Sequence, residues 1–365
     1  MRSTRTVVFV TGILVFFLIS LSFVPGAAAK KPKVIKLNLT HVFPATHTLA
    51  KTFQYFADQM YERSNGRVQI TVYPVGTLIS PAKLYEGTVT GIVDIGSPAV
   101  AYTPGRLPAN EATHVPLPSK TGWVTTHVAY DFQREFNPKE THQVHVLFGH
   151  ACGTYTIATR NRPVRKLEDA AGLKIRASGA ATVAFVEALG ASPEAMPMSE
   201  AYEAAAKGVI DSLFVPFETM KGYKHAEVTK YVTIPPITCS NNQLTIMNLK
   251  KWNSLPEDIQ RVFTEVSSEM AEKFARSWWY IDIKGKEYFL NQDEGREVIE
   301  IPPEQEPAWE KTIQPLVDKY IEDKTAMGLP AAKYEEYCQE RAKYWNARHL
   351  DEKTCVEWVE KNVLK

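Results

Sequence analysis

One arginine in the sequence lies where it could perform specific chemistry. Arg176 ends a short run, 172–176, that has the pattern of a strand starting after a glycine. An arginine guanidinium presents a planar fork of N–H donors, stays charged at physiological pH and matches a carboxylate with two hydrogen bonds. Arg176 is therefore a candidate carboxylate clamp. The alternative is an ordinary surface salt bridge, which contributes little to stability.

Patterns typical of catalytic and metal sites are absent from the sequence. The nine histidines form no HExxH pattern, no serine lies in a GxSxG turn, and no glycine-rich loop could cradle phosphate. His145 and His150 flank an apolar segment, but their spacing resembles no helical metal site, and structural histidines are the simpler interpretation. We expect no catalysis, no metal ion and no cofactor.

Strand and helix patterns alternate along the first half of the chain. Residues 34–39 and 68–72 have the period of two expected of strands, and residues 49–60 between them have helical spacing. A helix at 82–90 and a strand at 92–95 continue this order. The alternation predicts an α/β fold with mostly parallel sheets flanked by helices.

A second unit with the same kind of pattern follows. It contains strand signals at 144–148 and 154–159, the strand that ends at Arg176, and helices at 180–189 and 199–207. The quartet Gly208-Val209-Ile210-Asp211 then repeats the quartet Gly91-Ile92-Val93-Asp94, each after a helix and each predicting a short strand that carries the aspartate. The repeat suggests two similar lobes.

The last third of the sequence is mainly helical. Ser254-Leu255-Pro256-Glu257 has the pattern of a capping box and opens an unusually long helix that we expect to end near Gly285. The aromatic residues Trp278, Trp279 and Tyr280 near its end are predicted to pack between the lobes. Residues 329–365 predict a helical tail of unknown purpose.

The amino terminus has the features of a secretory signal peptide. Arg2 and Arg5 precede an apolar run at 7–24 and a small-residue site that ends at Ala29. We predict that residues 1–29 are cleaved off near Ala29 and that the mature protein is periplasmic. The alternative, a membrane anchor, is disfavoured by the Pro-Gly break that follows the apolar run.

Length and charge limit the remaining possibilities. Loss of residues 1–29 would leave about 336 of 365 residues, which suits two domains. The mature chain would have 40 basic and 41 acidic residues, so nothing favours binding to nucleic acid or to an anionic membrane.

Cysteine pairing cannot be deduced from the sequence alone. An exported chain can form disulfides, and this one has Cys152, Cys239, Cys338 and Cys355. Three pairings are possible, and free buried thiols are the alternative.

Several motifs, taken together and in order, resemble one protein family. The chain is similar to the solute-binding proteins of TRAP transporters over residues 34–317, in the segments 36–41, 66–74, 90–95, 172–176, 189–193 and 255–260. The resemblance implies a two-lobed periplasmic binding protein, type II-like, with a long inter-lobe helix. It places lobe I at 33–153 and 242–281, lobe II at 154–241 and 282–328, and an added tail at 329–365.

The family's function implies a role for Arg176. In the TRAP solute-binding proteins the matching arginine forms a salt bridge to the carboxylate of the solute, which is held in the cleft between the lobes and delivered to the membrane permease. We therefore expect a binding protein, monomeric and without enzymatic activity. The alternatives are a solute-binding protein of another transporter class, or a periplasmic enzyme that uses His41 or Glu218 as acid or base.

Departures from the family pattern bear on the solute. A second arginine found in many members is replaced here by Tyr155-Thr156, and an asparagine after the second-lobe aspartate is missing near Phe214. The loss of polar contacts favours a monocarboxylate with an apolar or aromatic body. The predicted walls are Phe214, Phe217, Trp123 and Tyr102, and the predicted polar contacts are Thr40, His41, Ser97, Tyr155, Thr156 and Glu218.

Two further expectations follow from the resemblance. Some family members hold a metal ion through a second-lobe carboxylate, so Glu218 leaves that option open, although no cluster of oxygen ligands is evident. Cys152 and Cys239 would lie on neighbouring crossover strands, which favours their pairing. Cys338 would then pair with Cys355 in the tail, a link worth about 3 kcal/mol.

Overall fold

The computed structural model describes residues 34–293, 295–348 and 350–364. The predicted signal peptide, 1–29, lies outside these residues. Within them, no helix has the length and apolar character required to cross a membrane.

Strands and helices are numbered along the chain. The strands are Ile35–His41 (β1), Val68–Tyr73 (β2), Ile95–Ser97 (β3), Val144–Ala151 (β4), Thr156–Thr159 (β5), Lys174–Ala177 (β6), Ser192–Ala195 (β7), Ser212–Val215 (β8), Tyr231–Ile234 (β9), Asn242–Asn248 (β10) and Glu297–Glu300 (β11). The α-helices are Thr48–Arg63 (α1), Leu84–Thr90 (α2), Gly122–Phe136 (α3), Ala180–Ala188 (α4), Met198–Ala206 (α5), Thr219–Gly222 (α6), Leu249–Asn253 (α7), Glu257–Leu290 (α8), Glu306–Ala326 (α9), Ala331–Asn346 (α10) and Glu352–Asn362 (α11).

The strands form two sheets, each the centre of one lobe. The first lobe contains the sheet β2-β1-β3-β10-β4, and the second contains β11-β9-β5-β8-β6-β7. The chain passes from the first lobe to the second between β4 and β5, returns between β9 and β10, and passes again along α8. The predicted two-lobed α/β architecture is confirmed.

Both sheets are mixed, which differs from the mostly parallel sheets that we predicted. Every antiparallel pairing among the described strands involves β5 or β10. These are the two strands that enter a sheet directly from the other lobe. The remaining pairings are parallel, and all of them except that of β9 with β11 join strands connected within a lobe. Helix and strand alternation in a sequence indicates the parallel pairs, but it contains no signal for a strand supplied by a crossing chain.

The repeated quartets have the same structure in both lobes. Each glycine ends the preceding helix with a positive φ, 82° at Gly91 and 72° at Gly208. Each aspartate then accepts a backbone N–H from the neighbouring parallel strand, at 3.0 Å for Asp94 and 3.1 Å for Asp211. The aspartates precede β3 and β8 instead of lying within them, so the strand predicted at 92–95 begins later than expected.

Helix α8 continues past Gly285, where we expected it to end. A Cβ atom on Gly285 would lie 2.1 Å from the carbonyl oxygen of Phe217. The glycine therefore lets the helix approach the backbone of the segment between β8 and α6. It serves close packing in the middle of the helix and is not a stop signal.

The tail packs on the first lobe. Helix α10 lies against α3 and α9, and α11 lies against α8. The carboxylate of Asp131, in α3, accepts hydrogen bonds from Arg341 Nε at 2.8 Å and from Trp345 Nε1 at 2.7 Å. The predicted helical tail is thus present as two helices that cover the outer face of α3 and part of α8.

The predicted disulfides are not formed, and all four cysteines are buried free thiols. Cys355 points to α8, where its thiol donates to the carbonyl of Arg276 at 3.2 Å. Cys338 lies on α10, which packs on α3 and α9 instead. The Sγ atom of Cys152 accepts the backbone N–H of Asn241 at 3.3 Å. Separate packing partners in the tail explain why proximity in sequence was misleading there.

A buried polar network lies in the core of the first lobe. Trp278 Nε1 donates to His150 Nδ1 at 3.1 Å, and His150 Nε2 lies 3.2 Å from Ser97 Oγ. Because Nδ1 accepts, Nε2 carries the proton and the ring is neutral. Burial, followed by the charge of His41, lowers the pKa of His150 to about 3.

The buried His150 predicts a loss of stability in mild acid. Its ring stays neutral in the folded protein, whereas the unfolded chain takes up a proton below pH ~6.5. The unfolded state then binds more protons, so the free energy of unfolding falls as the pH drops from 6.5 towards 3. For this residue the loss is about 2 kcal/mol between pH 6.5 and 5. Urea unfolding at both pH values should show a smaller loss for His150→Gln than for the wild type, and equal losses would contradict the assignment.

The close approach at Gly285 predicts a destabilising effect of added volume. Gly285→Ala should lower the free energy of unfolding by about 1–3 kcal/mol, because the new methyl group meets a backbone oxygen that cannot rotate away. Helix propensity alone predicts a gain of about 1 kcal/mol, so the sign of the change is decisive. Ser268→Ala, at an exposed position of the same helix, is the control for guanidinium unfolding, and stabilisation by Gly285→Ala would refute the packing argument.

Candidate functional site

Arg176 is fully buried at the end of β6, between β7 and β8. Its Nε and Nη2 atoms donate to the carbonyl oxygen of Met196 at 3.1 and 2.8 Å. Its Nη1 atom is buried and has no hydrogen-bond partner among the described residues. One edge of the guanidinium is thus fixed by the backbone, and the other retains unused donors.

A small cavity of about 30 Å³ lies between the lobes next to this arginine. Both lobes, the two crossing segments and α8 line it, with Val42, Phe43, Ala99, Tyr102, Cys152, Tyr155, Met198, Pro216, Glu218, Tyr223, Asn241, Gln243 and Trp278. Burial raises the pKa of Tyr155 and of Tyr223 well above the usual value, and the positive charge of Arg176 opposes both shifts. The guanidinium therefore lies close to these two walls of the cavity.

Direct hydrogen bonds join the lobes beside the cavity. Tyr102, in the first lobe, accepts the backbone N–H of Met198, in the second, at 3.0 Å. His47, in the first lobe, lies with Nε2 at 2.8 Å from Glu218 Oε2, in the second. The cavity is small because the lobes are in contact, so a solute could enter only if they separate.

Several buried polar atoms near the cavity have no partner among the described residues. They belong to Arg176 (Nη1), His225 (both ring nitrogens), Asn241 (Oδ1) and Gln243 (Oε1). Burial, followed by the charge of Arg176, lowers the pKa of His225 to about 3, so this imidazole is neutral. Unsatisfied buried polar groups are costly and uncommon, and their concentration in one place is typical of a binding site.

Four of the residues predicted from the sequence come together here. Arg176, Tyr155, Tyr102 and Glu218 surround the cavity or contact its walls. The Tyr155 hydroxyl also lies 3.4 Å from that of Ser178, which follows β6.

The predicted residues of the second lobe divide between the cavity and the core. Phe214 lies beneath Tyr155 in an edge-to-face contact, with ring centroids 5.1 Å apart, and stacks on Phe185. The Thr156 hydroxyl donates to the carbonyl of Val215 at 2.7 Å. Thr156 and Phe217 line a different, open cavity of ≈ 450 Å³ beside α8.

The remaining predicted residues lie in the first lobe, away from the cavity. Trp123 packs edge-on against Trp345 of the tail. His41 stacks on Phe53 at 5.0 Å, and burial followed by the charge of His47 lowers its pKa to about 3. Ser97 belongs to the His150 network, and Thr40 is buried in β1. The contacts of Trp123, His41 and Ser97 are structural, whereas the buried Thr40 hydroxyl has no partner among the described residues.

Sequence reasoning missed several residues of the cavity wall. They are Phe43, Met198, Tyr223, Asn241, Gln243 and Trp278. The polar run 240–243 that precedes the apolar part of β10 was an available signal, because buried strands seldom begin with so many amides. Glu218 has no companions for a metal site, since no group of three or more metal-binding side chains occurs in the described part of the chain.

Comparison with known proteins identifies the family. The profile of the DctP family, bacterial extracellular solute-binding protein family 7, matches residues 39–324. The chain belongs to this family. A curated DctP-family relative, the C4-dicarboxylate-binding periplasmic protein DctP of Rhodobacter capsulatus, is 26% identical over 325 residues, or 84% of this chain and 92% of the relative.

Solved TRAP proteins have the same fold. An open complex of a TRAP periplasmic solute binding protein from Desulfovibrio salexigens is 29% identical, with a TM-score of 0.77 over 87% of this chain and 98% of that one. A marine metagenome TRAP solute binding protein specific for aromatic acid ligands, in complex with 3-hydroxybenzoate, is 23% identical, with a TM-score of 0.81 over 86% and 99%. The predicted membership in the TRAP solute-binding proteins is confirmed.

Close contact between the lobes of this DctP-family protein predicts the effect of a small wedge. A Cβ atom on Gly179, in the second lobe, would lie 2.7 Å from the carbonyl oxygen of Ala101, in the first. Gly179→Ala should therefore keep the cleft partly open. Small-angle X-ray scattering should give a larger radius of gyration than for the wild type, with an unchanged melting profile. Identical scattering curves would mean that the lobes do not meet there in solution.

Proposed function

We propose that this TRAP solute-binding protein captures a monocarboxylate with an apolar or aromatic body through Arg176 and delivers it to the membrane permease of its transporter. The observation that carries the proposal is the buried guanidinium with one unpartnered donor edge. No carboxylate pairs with Arg176 among the described residues; its only bonded acceptor is the carbonyl of Met196.

A bound carboxylate would correct this imbalance. An isolated buried charge is strongly unfavourable, and a single neutral carbonyl offsets only part of that cost. Nη1 together with the second N–H of Nη2 can hold a carboxylate in a bidentate pair, which is short, charge-assisted and geometrically specific. The backbone bond to Met196 fixes the plane of the fork before the solute arrives.

The cavity wall supports one carboxylate and an aromatic body. Arg176 lies beside the cavity, and none of the described residues that line the cavity is a lysine or an arginine, so a second anionic group would find no further cation there. Phe43, Tyr102, Tyr155, Tyr223 and Trp278 supply aromatic surface in place of the predicted Phe214, Phe217 and Trp123. The similar marine metagenome protein holds an aromatic acid of this kind, 3-hydroxybenzoate.

Closure of the two lobes is the proposed mechanism. A solute that contacts Arg176 and Tyr155 on one side and Phe43 on the other has a higher affinity for the closed form, and it shifts the equilibrium towards closure. The permease would then bind the closed form. The protein would act as a monomer without metal or cofactor, with the lobe boundaries given by the family resemblance.

Export is also part of the proposal. The family is periplasmic in its curated members. A signal peptide cleaved near Ala29 would bring this chain to the same compartment.

The arginine fork predicts a specific effect of a conservative change. Arg176→Lys keeps the charge, but one ammonium group cannot bind both the Met196 carbonyl and a carboxylate in a planar pair, so affinity should fall about 10- to 100-fold. Calorimetry with benzoate, 3-hydroxybenzoate and any acid that mass spectrometry finds co-purified would measure it. Arg165→Lys, in an exposed pair with Glu297, is the matched control. Wild-type affinity in Arg176→Lys would remove Arg176 from the binding role.

A further inference from the structure

Glu218 is a buried carboxylate with one occupied and one free oxygen. Its side chain is 3% exposed, and Oε2 lies 2.8 Å from His47 Nε2. No hydrogen-bond partner of Oε1 occurs among the described residues. Asp282 Oδ1 accepts the Glu218 backbone N–H at 3.1 Å. This bond does not involve the Glu218 side chain, so it does not compensate the charge of the carboxylate.

The role of His47 is fixed by its position at the start of a helix. Its Nδ1 accepts the backbone N–H of Leu49 at 3.2 Å, as an N-cap of α1. A nitrogen that accepts carries no proton, so Nε2 is the protonated nitrogen and donates to Glu218. Glu218 Oε2 is therefore an occupied acceptor.

Glu218 lines the cavity between the lobes. It also lines a neighbouring cavity of ≈ 330 Å³ together with His47 and Gly222. A Cβ atom on Gly222 would lie 3.0 Å from Oε2, the oxygen that His47 bonds. Since Oε2 is occupied, Oε1 is the oxygen that a solute in the inter-lobe cavity could use.

Two charges of opposite sign act on the Tyr223 side of the cavity. Burial raises the pKa of Tyr223, the negative charge of Glu218 adds to the shift, and the positive charge of Arg176 opposes it. Arg176 and Glu218 form no ion pair with each other in the described part of the chain, so the donor of one and the acceptor of the other are at separate positions. A solute that fits this wall must have complementary groups at separate positions.

We propose that the solute carries a hydrogen-bond donor, a hydroxyl or an ammonium group, away from its carboxylate, and that Glu218 Oε1 accepts from it. This inference rests on the proposed function and refines it to hydroxy- or amino-substituted monocarboxylates. An acid without a donor leaves this carboxylate oxygen without a partner in the closed site, which penalises that acid relative to the matching donor. Because His47 belongs to the other lobe, the acceptor is fully positioned only when the cleft closes.

Matched acids test the inference on the wild-type protein. Calorimetry would compare benzoate with 3- and 4-hydroxybenzoate, the corresponding methoxybenzoates and the corresponding aminomethylbenzoates. At least one donor acid should bind about tenfold or more tighter than benzoate and than its methoxy analogue. Preference for hydroxyl over ammonium, or the reverse, identifies the class of donor.

Glu218→Gln should reverse the preference. The glutamine carbonyl can accept from His47 Nε2, and its NH₂ group then faces the cavity as a donor. The advantage of the hydroxy or ammonium acid should disappear, and the methoxy acid should bind at least as well as the hydroxy acid. Glu187→Gln, at an exposed position of α4, is the matched control and should keep the wild-type order. A melting transition and a far-ultraviolet circular dichroism spectrum like those of the wild type would show that the variant is folded.

The results separate this inference from the proposed function. If benzoate and every donor acid bind equally while Arg176→Lys loses binding, the carboxylate clamp stands and the donor inference is overturned. Equal binding of the methoxy and hydroxy acids to the wild type also overturns it. If no acid of the panel binds, the aromatic monocarboxylate function fails and the donor inference fails with it.

Discussion

The structure depends on one incompletely paired charge. The guanidinium of Arg176 is fully buried, bonded along one edge to a backbone carbonyl and unpartnered at Nη1. Such a charge destabilises the folded protein unless a group of opposite charge pairs with it. The surrounding architecture holds this group in place: β6 lies between two parallel neighbours, and residues of both lobes line the cavity beside it. Under the proposed function, the stability lost at this site would be regained when an anion binds.

The sequence predicted the parts of this arrangement that are local. Arg176 could be identified because a guanidinium at a strand end, within an ordered set of family motifs, has few other roles. Helix α8, the tail helices and the paired Gly and Asp quartets could be predicted for the same reason, since periodicity, capping and turn chemistry act over a few residues. The aspartates of the two quartets also make equivalent hydrogen bonds, each to a backbone N–H of the neighbouring parallel strand. The match of four residues had only suggested this similarity.

The parts that depend on distant segments could not be predicted. From the sequence alone, Trp123 and Tyr223 are equally plausible residues of the cavity wall. In the structure, Trp123 packs on the tail and Tyr223 lines the cavity. Gly285 is a stop signal by local rules and a packing contact in three dimensions. The prediction of disulfides was wrong for the same reason. A disulfide requires two cysteine side chains that face each other, and in the tail this depends on how the helices pack. The two oxygens of the Glu218 carboxylate differ only because His47, in the opposite lobe, bonds one of them, and the sequence does not show that contact.

The two segments that cross between the lobes bear on how the binding of a solute would affect the connection between the lobes. Cys152 donates its backbone N–H to Asn241, and Tyr155 donates to Cys239, so the two connections form a single hydrogen-bonded ribbon between the lobes. Tyr155 and Asn241 also line the cavity. Under the proposed function, a bound solute would therefore contact the segments that connect the lobes as well as the lobes themselves. A molecule of the wrong shape would displace these peptide units, so the same few residues would both select the solute and bend during closure.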